Sequence, residues 1–401
     1  MLKKIPVDKL GLGMYLQAFC GAWLDHPFWR TKFLLDDPDD LTLIRKSAIA
    51  EAWIDISKGR DVDPDDIEPG TILQTAEEVP ALAPETTSHV ALNEELWQAA
   101  RIIARAKEMI ASVFEDVRMG QAVKVDALAP LVDEILNSLS RNPVALICLA
   151  RLKTTDDYTF MHSISVCGLM ISLARQLGLS AEQVREAGMG GLLHDLGKTT
   201  SPQHMLNKPG KLTNEEFAEI KQHAAEGHKI LLDGSSFTEV VTDICLHHHE
   251  KIDGSGYPEG LRGDQISLYA KMSAVCDVYD AITSNRPYKS AWDPAEAIRS
   301  MAEWNGHFDP VVFQAFVKRI GIYPVGSLIR LASGKLGVVI EQNEQTLLKP
   351  KVKVFFSTKS QAYIKPEIID LARSLETIAG REEAAKWGIQ DINRYWASDK
   401  P

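Results

Sequence analysis

Cysteine is scarce in this chain of 401 residues, which has five cysteines and no CxxC pair. An odd number without paired spacing is typical of a reducing compartment and argues against a disulfide framework or a thiolate zinc finger. Long apolar runs are also missing. No run approaches the ~18 residues that a membrane span requires, and the first residues lack the apolar core of a signal peptide. These absences predict a cytoplasmic protein without a membrane span.

Positive charge is in deficit, because 44 Lys and Arg residues face 55 Asp and Glu residues, for a formal net charge of −11. Such a balance disfavours nucleic acid polymers and anionic membranes as partners. An anionic substrate would therefore need cations gathered locally, either metal ions or a few Lys and Arg side chains. The content of 45% hydrophobic and 25% charged residues is ordinary for a globular protein, and the length allows two or three domains.

Apolar periodicity divides the chain into five segments. Residues 1–62 alternate strand-like runs with turns around a short helix near 40–50, which predicts a small α+β domain. Residues 63–90 are acidic and rich in proline, as expected of a linker. Amphipathic helices are predicted for a connector at 91–150 and for 151–322. Residues 323–401 are expected to form a short β-hairpin region, with a turn at Ser333-Gly334, and a last helix over 382–396. The predicted class is mainly α.

Histidine is concentrated in one part of the chain, since nine of the eleven histidines lie between 162 and 307. Chance, a pH sensor and a metal site are the three interpretations, and acidic residues at matching helical positions favour the metal site. Imidazole and carboxylate ligands together suit Zn, Mn, Fe, Ni and Co. The candidate ligands are His162, His194, Asp195, His223, His248, His249 and Asp277.

The stretch GGLLHDLGKTTS places His194 directly beside Asp195. Adjacent side chains on a helix point about 100° apart, so both can serve one site only around something large and charged. Seven ligands are too many for one ion and suit two ions about 3.5–4 Å apart. Asp195 is therefore predicted to bridge two metals, while His194 ligates one of them.

Three cations and a tyrosine accompany the ligands: Lys198, Tyr257 in the Gly-rich turn DGSGYP, and Arg286 and Lys289 in NRPYKS. A dinuclear centre with a cation clamp suits phosphodiester hydrolysis, which uses a metal-bound hydroxide and neutralises the non-bridging oxygens. The plainer alternatives are a solvated helix end for Arg286 and Lys289 and a surface-packed aromatic for Tyr257.

Three spaced motifs, HDLGK, HHE-x-x-DGSGYP and DVYDAITSNRPYK, together resemble the HD-GYP family of phosphodiesterases. The match runs from about residue 157 to 325, and KLGLGMYL with WIDISKG resembles the small domain that often precedes HD-GYP. The resemblance implies an HD-type helical bundle as the catalytic domain at 151–322. It also implies cleavage of cyclic di-GMP to linear pGpG by a hydroxide bridging two metals, and in some members further cleavage to GMP.

The resemblance also implies roles for individual residues. Asp195 and Lys198 would be catalytic, Lys198, Arg286 and Lys289 would hold phosphate, and Tyr257 would lie at the substrate mouth. Metal one would take His162, His194, Asp195 and Asp277, and metal two would take Asp195, His223, His248 and His249. His247 is not expected to be a ligand.

The implied cofactors are two divalent transition-metal ions, Fe or Mn ahead of Ni, Co or Zn. Family members with three metals carry a carboxylate where this chain has Tyr158. Signalling proteins are expected to contact the GYP loop or the N-terminal domain, and a homo-oligomer is compatible with the sequence.

Two alternatives stay open. The first is another HD hydrolase, acting on a nucleotide mono- or triphosphate or on an alarmone, and the GYP loop argues against it. The second is an adaptor that binds cyclic di-GMP without cleaving it, and the complete ligand set argues against that.

Overall fold

The structure is a computed structural model. It describes residues 2–20, 33–36, 38–46, 51–61, 90, 92–151, 158–206, 208, 210–233, 237–284, 291–343, 346–390 and 392–396. The predicted linker lies outside the described residues except for residue 90. Contacts divide the chain into two compact units, 1–87 and 88–401, which are described separately.

The first unit is built on an antiparallel sheet. Its described elements are β1 (Leu2–Pro6), β2 (Tyr15–Cys20), β3 (Phe33–Leu34), α1 (Pro38–Lys46) and β4 (Glu51–Asp55). The strand order is β1-β4-β2-β3. Alternation along β4 buries Ala52 and Ile54, which join Ile5, Leu16 and Ile44 in a core. The predicted short helix is present and begins at Pro38, two residues earlier than expected.

Helices form most of the second unit. Their described bounds are α2 (Leu92–Arg118), α3 (Val125–Arg141), α4 (Ala145–Arg151), α5 (Tyr158–Gln176), α6 (Ala181–Leu193), α7 (Gln203–Leu206), α8 (Asn214–Ile220), α9 (His223–Asp233), α10 (Glu239–His247), α11 (Leu268–Thr283), α12 (Pro294–Glu303) and α13 (Pro310–Ile320). The mainly α class is confirmed. Thr213 and Glu216 form a capping box at the start of α8.

The helices α5 and α6 form the centre of this bundle. They pack on each other, α10 packs on α6, and α11 packs on α5. Close packing of α6 depends on glycine, because a Cβ atom on Gly190 would lie 2.2 Å from Cδ1 of Ile244 in α10. The helices α2, α3 and α4 pack against α5, so the segment predicted as a connector contributes to the helical bundle. None of the described helices combines the length and the apolar content needed to cross a bilayer.

A five-stranded antiparallel sheet follows the helices and extends the predicted hairpin. The strands are β5 (Leu328–Leu331), β6 (Lys335–Glu341), β7 (Lys351–Ser357), β8 (Ala362–Asp370) and β9 (Ile378–Arg381). Their order is β8-β7-β6-β5-β9. Ser333-Gly334 turns the chain between β5 and β6, as predicted. The strand β8 escaped prediction because it is a largely exposed edge strand that contains Pro366 and lacks apolar alternation.

The prediction of a last helix over 382–396 is wrong. The described residues there form two short 3-10 turns, Ala384–Trp387 and Asn393–Tyr395. Gly388 ends the first turn in the left-handed conformation, with φ of 66°, and so interrupts any continuous helix. Glu382 holds the segment by accepting hydrogen bonds from Arg330 and from the Trp387 indole.

Candidate metal centre

Five helices bring the predicted ligands to one place. His162 lies in α5, Asp277 lies in α11, and His223 is the first residue of α9. His194 follows the last residue of α6, and His248 and His249 follow α10. A break separates α8 from α9 and places the His223 imidazole at a helix start. Six of the seven side chains are buried, and His249 is partly exposed.

The two carboxylate oxygens of Asp195 face two different groups of imidazoles. Oδ2 lies 3.6 Å from Nε2 of His162 and 3.5 Å from Nε2 of His194. Oδ1 lies 3.4 Å from Nε2 of His223 and 3.7 Å from Nε2 of His248. One carboxylate therefore stands between two sets of nitrogen donors, which is the arrangement that two ions sharing a bridging ligand require.

Asp277 and His249 complete the two groups. Oδ1 of Asp277 lies 3.0 Å from Nε2 of His162 and 3.9 Å from Nε2 of His194, on the side of the first group. His249 joins Asp195, His223 and His248 in a set whose donor atoms all lie within 4.8 Å of one another. Each group thus contains four donor residues when Asp195 is counted in both.

The histidine rings are oriented by hydrogen bonds on their outer nitrogens. A ring that donates from Nδ1 keeps a lone pair on Nε2, and this lone pair is what binds a metal. Nδ1 of His162 lies 2.6 Å from Asp280 Oδ2, and Nδ1 of His194 lies 2.8 Å from Gly191 O. Nδ1 of His223 lies 2.5 Å from Ile220 O, and Nδ1 of His248 lies 2.9 Å from Cys245 O.

Burial and charge set the protonation states that metal ligation needs. Burial lowers the pKa of His194 to about 4 and the pKa of His223 to about 3. Burial alone would raise the pKa of Asp195, but Lys198 and His194 outweigh it and hold this pKa well below its usual range. Burial alone would raise the pKa of Asp277 too, but the adjacent His162 and His249 outweigh it and hold this pKa well below its usual range. Neutral imidazoles and ionised carboxylates are the forms that bind a divalent cation.

Two features of the donors fit metal ions. First, Asp195 Oδ1 is buried and accepts no hydrogen bond from the described residues. Second, Nε2 atoms face each other at 3.3 Å in the pair His162–His194 and at 3.2 Å in the pair His223–His248. Since Nδ1 carries the proton, each pair brings lone pairs together, which is unfavourable without a cation. Two nitrogens bound to one ion at about 2.0–2.1 Å lie roughly 2.9–3.4 Å apart for bond angles of about 90–109°, a range that includes both separations.

Lys198 and Tyr257 lie beside this cluster. Nζ of Lys198 contacts Oδ2 of Asp195 at 2.5 Å, and the Lys198 side chain remains 27% exposed. The Tyr257 ring lies 4.6 Å from the His249 ring, between centroids. Arg286 and Lys289 lie outside the described residues. His247 is absent from the two donor groups and instead contacts Asp243, 2.7 Å from its Nδ1.

Three residues that support the site were not singled out from the sequence. Asp280 orients His162, and its spacing from Asp277, one helical turn along α11, was an available signal. Glu250 is buried and accepts hydrogen bonds from the backbone N–H groups of residues 259, 260 and 261, which fixes the turn that carries Tyr257. Gly197 has no room for a side chain, because its Cβ atom would lie 1.8 Å from the His223 carbonyl oxygen.

Comparison with known proteins agrees with this geometry. A family described as an HD domain matches residues 134–312, and a domain of unknown function, DUF3391, matches residues 2–128. The cyclic di-GMP phosphodiesterase PA4108 of Pseudomonas aeruginosa is 54% identical over 401 residues, which cover 99% of this chain and 96% of that protein. The chain belongs to the HD-domain cyclic di-GMP phosphodiesterase family.

Two further phosphodiesterases match about half of this chain. The cyclic di-GMP phosphodiesterase response regulator RpfG of Xanthomonas campestris is 41% identical, over 47% of this chain and 52% of that protein. The 3'3'-cGAMP-specific phosphodiesterase 1 of Vibrio cholerae is 35% identical, over 47% of this chain and 42% of that protein. The family therefore includes proteins named for two different cyclic dinucleotides.

Proposed function

We propose that this chain is a metal-dependent phosphodiesterase that hydrolyses cyclic di-GMP to linear pGpG. The observation that carries the proposal is the position of Asp195, whose two oxygens face separate groups of buried imidazoles. The relative that matches over nearly the whole chain is named for this activity. A binding adaptor without catalysis is not favoured, because all seven predicted ligands are present and six of them are buried.

The two groups of donors would hold one ion each and share Asp195. When bound, the ions supply Lewis acidity toward the phosphodiester and activate water at neutral pH. The chain's own residues fix the charge and geometry of the site. Burial favours the neutral form of the His194 and His223 imidazoles, and Lys198 balances the charge of Asp195. The partly exposed ammonium of Lys198 is placed to meet a phosphoryl oxygen as well, and so to neutralise charge on the scissile group.

The donor set supports Fe or Mn as the native metal. Four protein donors per ion leave positions for water and substrate within the six-coordinate shells that these metals accept, whereas Zn prefers four ligands in all. The nearby thiol of Cys245 is buried, which raises its pKa and keeps it protonated, so it does not add a thiolate ligand. Imidazole and carboxylate also accept Ni, Co and Zn.

Arg286 and Lys289 are proposed to bind the substrate phosphates, on the basis of their sequence positions after Asp277. Neutral replacement of either should lower kcat/KM by tenfold or more, on the order of 1.4 kcal/mol. The free energy of unfolding should change by no more than about 0.5 kcal/mol, as for ordinary surface substitutions. Parallel loss of folding and activity would instead indicate a structural role.

We also propose two ions per chain and pGpG as the main product. Tyr158 is the first residue of α5, one helical turn before His162, where a carboxylate could hold a third ion. A phenol with a pKa near 10 is a poor ligand at neutral pH. The extra terminal phosphate of pGpG would then lack a third cation, so the second cleavage should be slow, and Tyr158→Glu should speed it.

The direct test is incubation of anaerobically purified protein with cyclic di-GMP, with chromatography of the products over time. The proposal expects pGpG to accumulate, and it expects activity to disappear on chelation and to return when metal is restored. Activity that survives complete metal removal would contradict the proposed function. GMP formed as fast as pGpG is consumed, without pGpG accumulation, would contradict only the product assignment.

A further inference from the structure

An exposed aromatic surface leads outward from the metal centre. Phe217 in α8 is 46% exposed, unusual for a phenylalanine, and its ring lies 6.4 Å from the Tyr257 ring in an edge-to-face arrangement. Tyr257 in turn lies 4.6 Å from the ring of His249, one of the predicted ligands. The rings of Phe217, Tyr257 and His249 therefore form one row that leads from the metal centre toward solvent.

A lysine lies over the same surface. Nζ of Lys221 is 4.6 Å from the centroid of Phe217 and 5.1 Å from the centroid of Tyr257. Both distances fall within the ~6 Å range of cation–π attraction. The pair of rings therefore carries a positively charged hydrogen-bond donor, in a chain whose overall charge is negative.

The scaffold under this surface is well fixed. At the start of α8, Thr213 and Glu216 form a capping box, and Lys208 binds the Glu216 carboxylate at 2.6 Å. The backbone N–H of Tyr257 donates to the His249 carbonyl at 3.2 Å. These groups hold the two rings in place without taking part in the chemistry.

We infer that Phe217 and Lys221, together with Tyr257, bind a guanine base of the substrate. The inference rests on the proposed function, since it names the part of that site which recognises the base. Nucleobases stack on aromatic side chains, and each stack contributes enough affinity to matter. Guanine presents O6 and N7 as acceptors for an ammonium group, whereas adenine presents an amino donor in place of O6. Lys221 would therefore favour guanine over adenine, and Phe217 would bind either base.

The stacking role predicts a base-dependent effect of Phe217→Ala in the metal-loaded full chain. KM for cyclic di-GMP should rise about tenfold or more, which corresponds to ~1.4 kcal/mol. Phe217→Trp should restore it, because the larger ring also stacks. Turnover of methyl p-nitrophenyl phosphate, a diester without a nucleobase, should be unchanged. Leu232→Ala is the matched control, since Leu232 is 59% exposed in the neighbouring helix α9.

The specificity role is tested by Lys221→Met, which keeps the aliphatic stem and removes the donor. The ratio of kcat/KM for cyclic di-GMP to that for cyclic di-AMP, which has no guanine, should fall by about fivefold or more. Lys229→Met, an exposed change in α9, should leave the ratio unchanged. Calorimetry with GMP and AMP gives a readout independent of turnover, in which wild type binds GMP more tightly and Lys221→Met loses the preference.

These measurements test the proposed function and the base-binding role separately. A chain that binds GMP with the expected dependence on Phe217 and Lys221 but does not cleave cyclic di-GMP would overturn the proposed function alone. Unchanged KM, ratio and nucleotide affinity in both variants would overturn the base-binding role. So would an equal loss on the base-free diester together with lowered thermal stability or metal content, because a structural role predicts that pattern.

Discussion

Gly197→Ala offers a test of how tightly the backbone positions the metal ligands. The added Cβ atom would lie 1.8 Å from the His223 carbonyl oxygen and 2.6 Å from the backbone nitrogen of Gly227. Cβ atoms essentially never come closer than 3.0 Å to another atom, so the start of α9 must retreat by about 1.2 Å. His223, the first residue of α9, would move with it and lose its present separation of 3.4 Å from Asp195 Oδ1. Misplacement by ~1 Å can cost about 100-fold in rate, or roughly 2.7 kcal/mol.

The Gly197→Ala experiment compares kcat/KM, metal content and thermal stability with the wild type. We expect a loss of about 100-fold in kcat/KM and weaker binding of one of the two ions, because only the group that contains His223 is displaced. Gly380→Ala is the matched control, since no atom lies within 4 Å of its added Cβ and its backbone is not strained. Wild-type activity and metal content in Gly197→Ala would refute the claim that this close approach sets the ligand geometry.

Three further predictions concern the second unit. Asp280→Ala should weaken metal binding about 10- to 100-fold, because His162 loses the partner that orients its ring. Metal titration followed by elemental analysis would detect this loss, and wild-type affinity in the variant would contradict the prediction. Metal-free protein should lose stability as the pH falls from about 6.5 toward 4. In this range His194 and His223 take up protons in the unfolded chain but stay neutral when buried in the folded chain. Denaturation measured across this range should therefore show stability rising with pH. A fragment starting near Val90 should fold and retain basal activity, because Val90 already bonds to residues 141 and 142, and insolubility of the fragment would place the boundary elsewhere.

The donor set could be predicted from the sequence because ligand chemistry restricts residue type and spacing. The adjacent His194 and Asp195 indicated a ligand pair, and the concentration of histidines between 162 and 307 indicated the other imidazole ligands. Asp280 was harder to predict, because its role is to orient His162 through a hydrogen bond between two helices. A supporting role of this kind depends on which side chains meet across two helices, and spacing along one chain does not report that.

Misses elsewhere have the same origin in tertiary context. The edge strand β8 gains its hydrogen bonds from β7 and needs no buried face, so its sequence carries no alternation. The segment around Gly388 has helical composition, but Glu382 and the left-handed glycine direct it into short turns. The sequence also gave no signal of the break between α8 and α9. This break places His223 in the centre and leaves Phe217 on the surface.

The central claim is that Asp195 joins two metal ions into one catalytic centre. The most direct test is the number of ions per chain in Asp195→Ala and in wild type, measured alongside turnover of cyclic di-GMP. We expect two ions and turnover in the wild type. In Asp195→Ala we expect at most one tightly bound ion and no turnover, because both groups of imidazoles lose their shared ligand. Two tightly bound ions and substantial turnover in Asp195→Ala would contradict this claim.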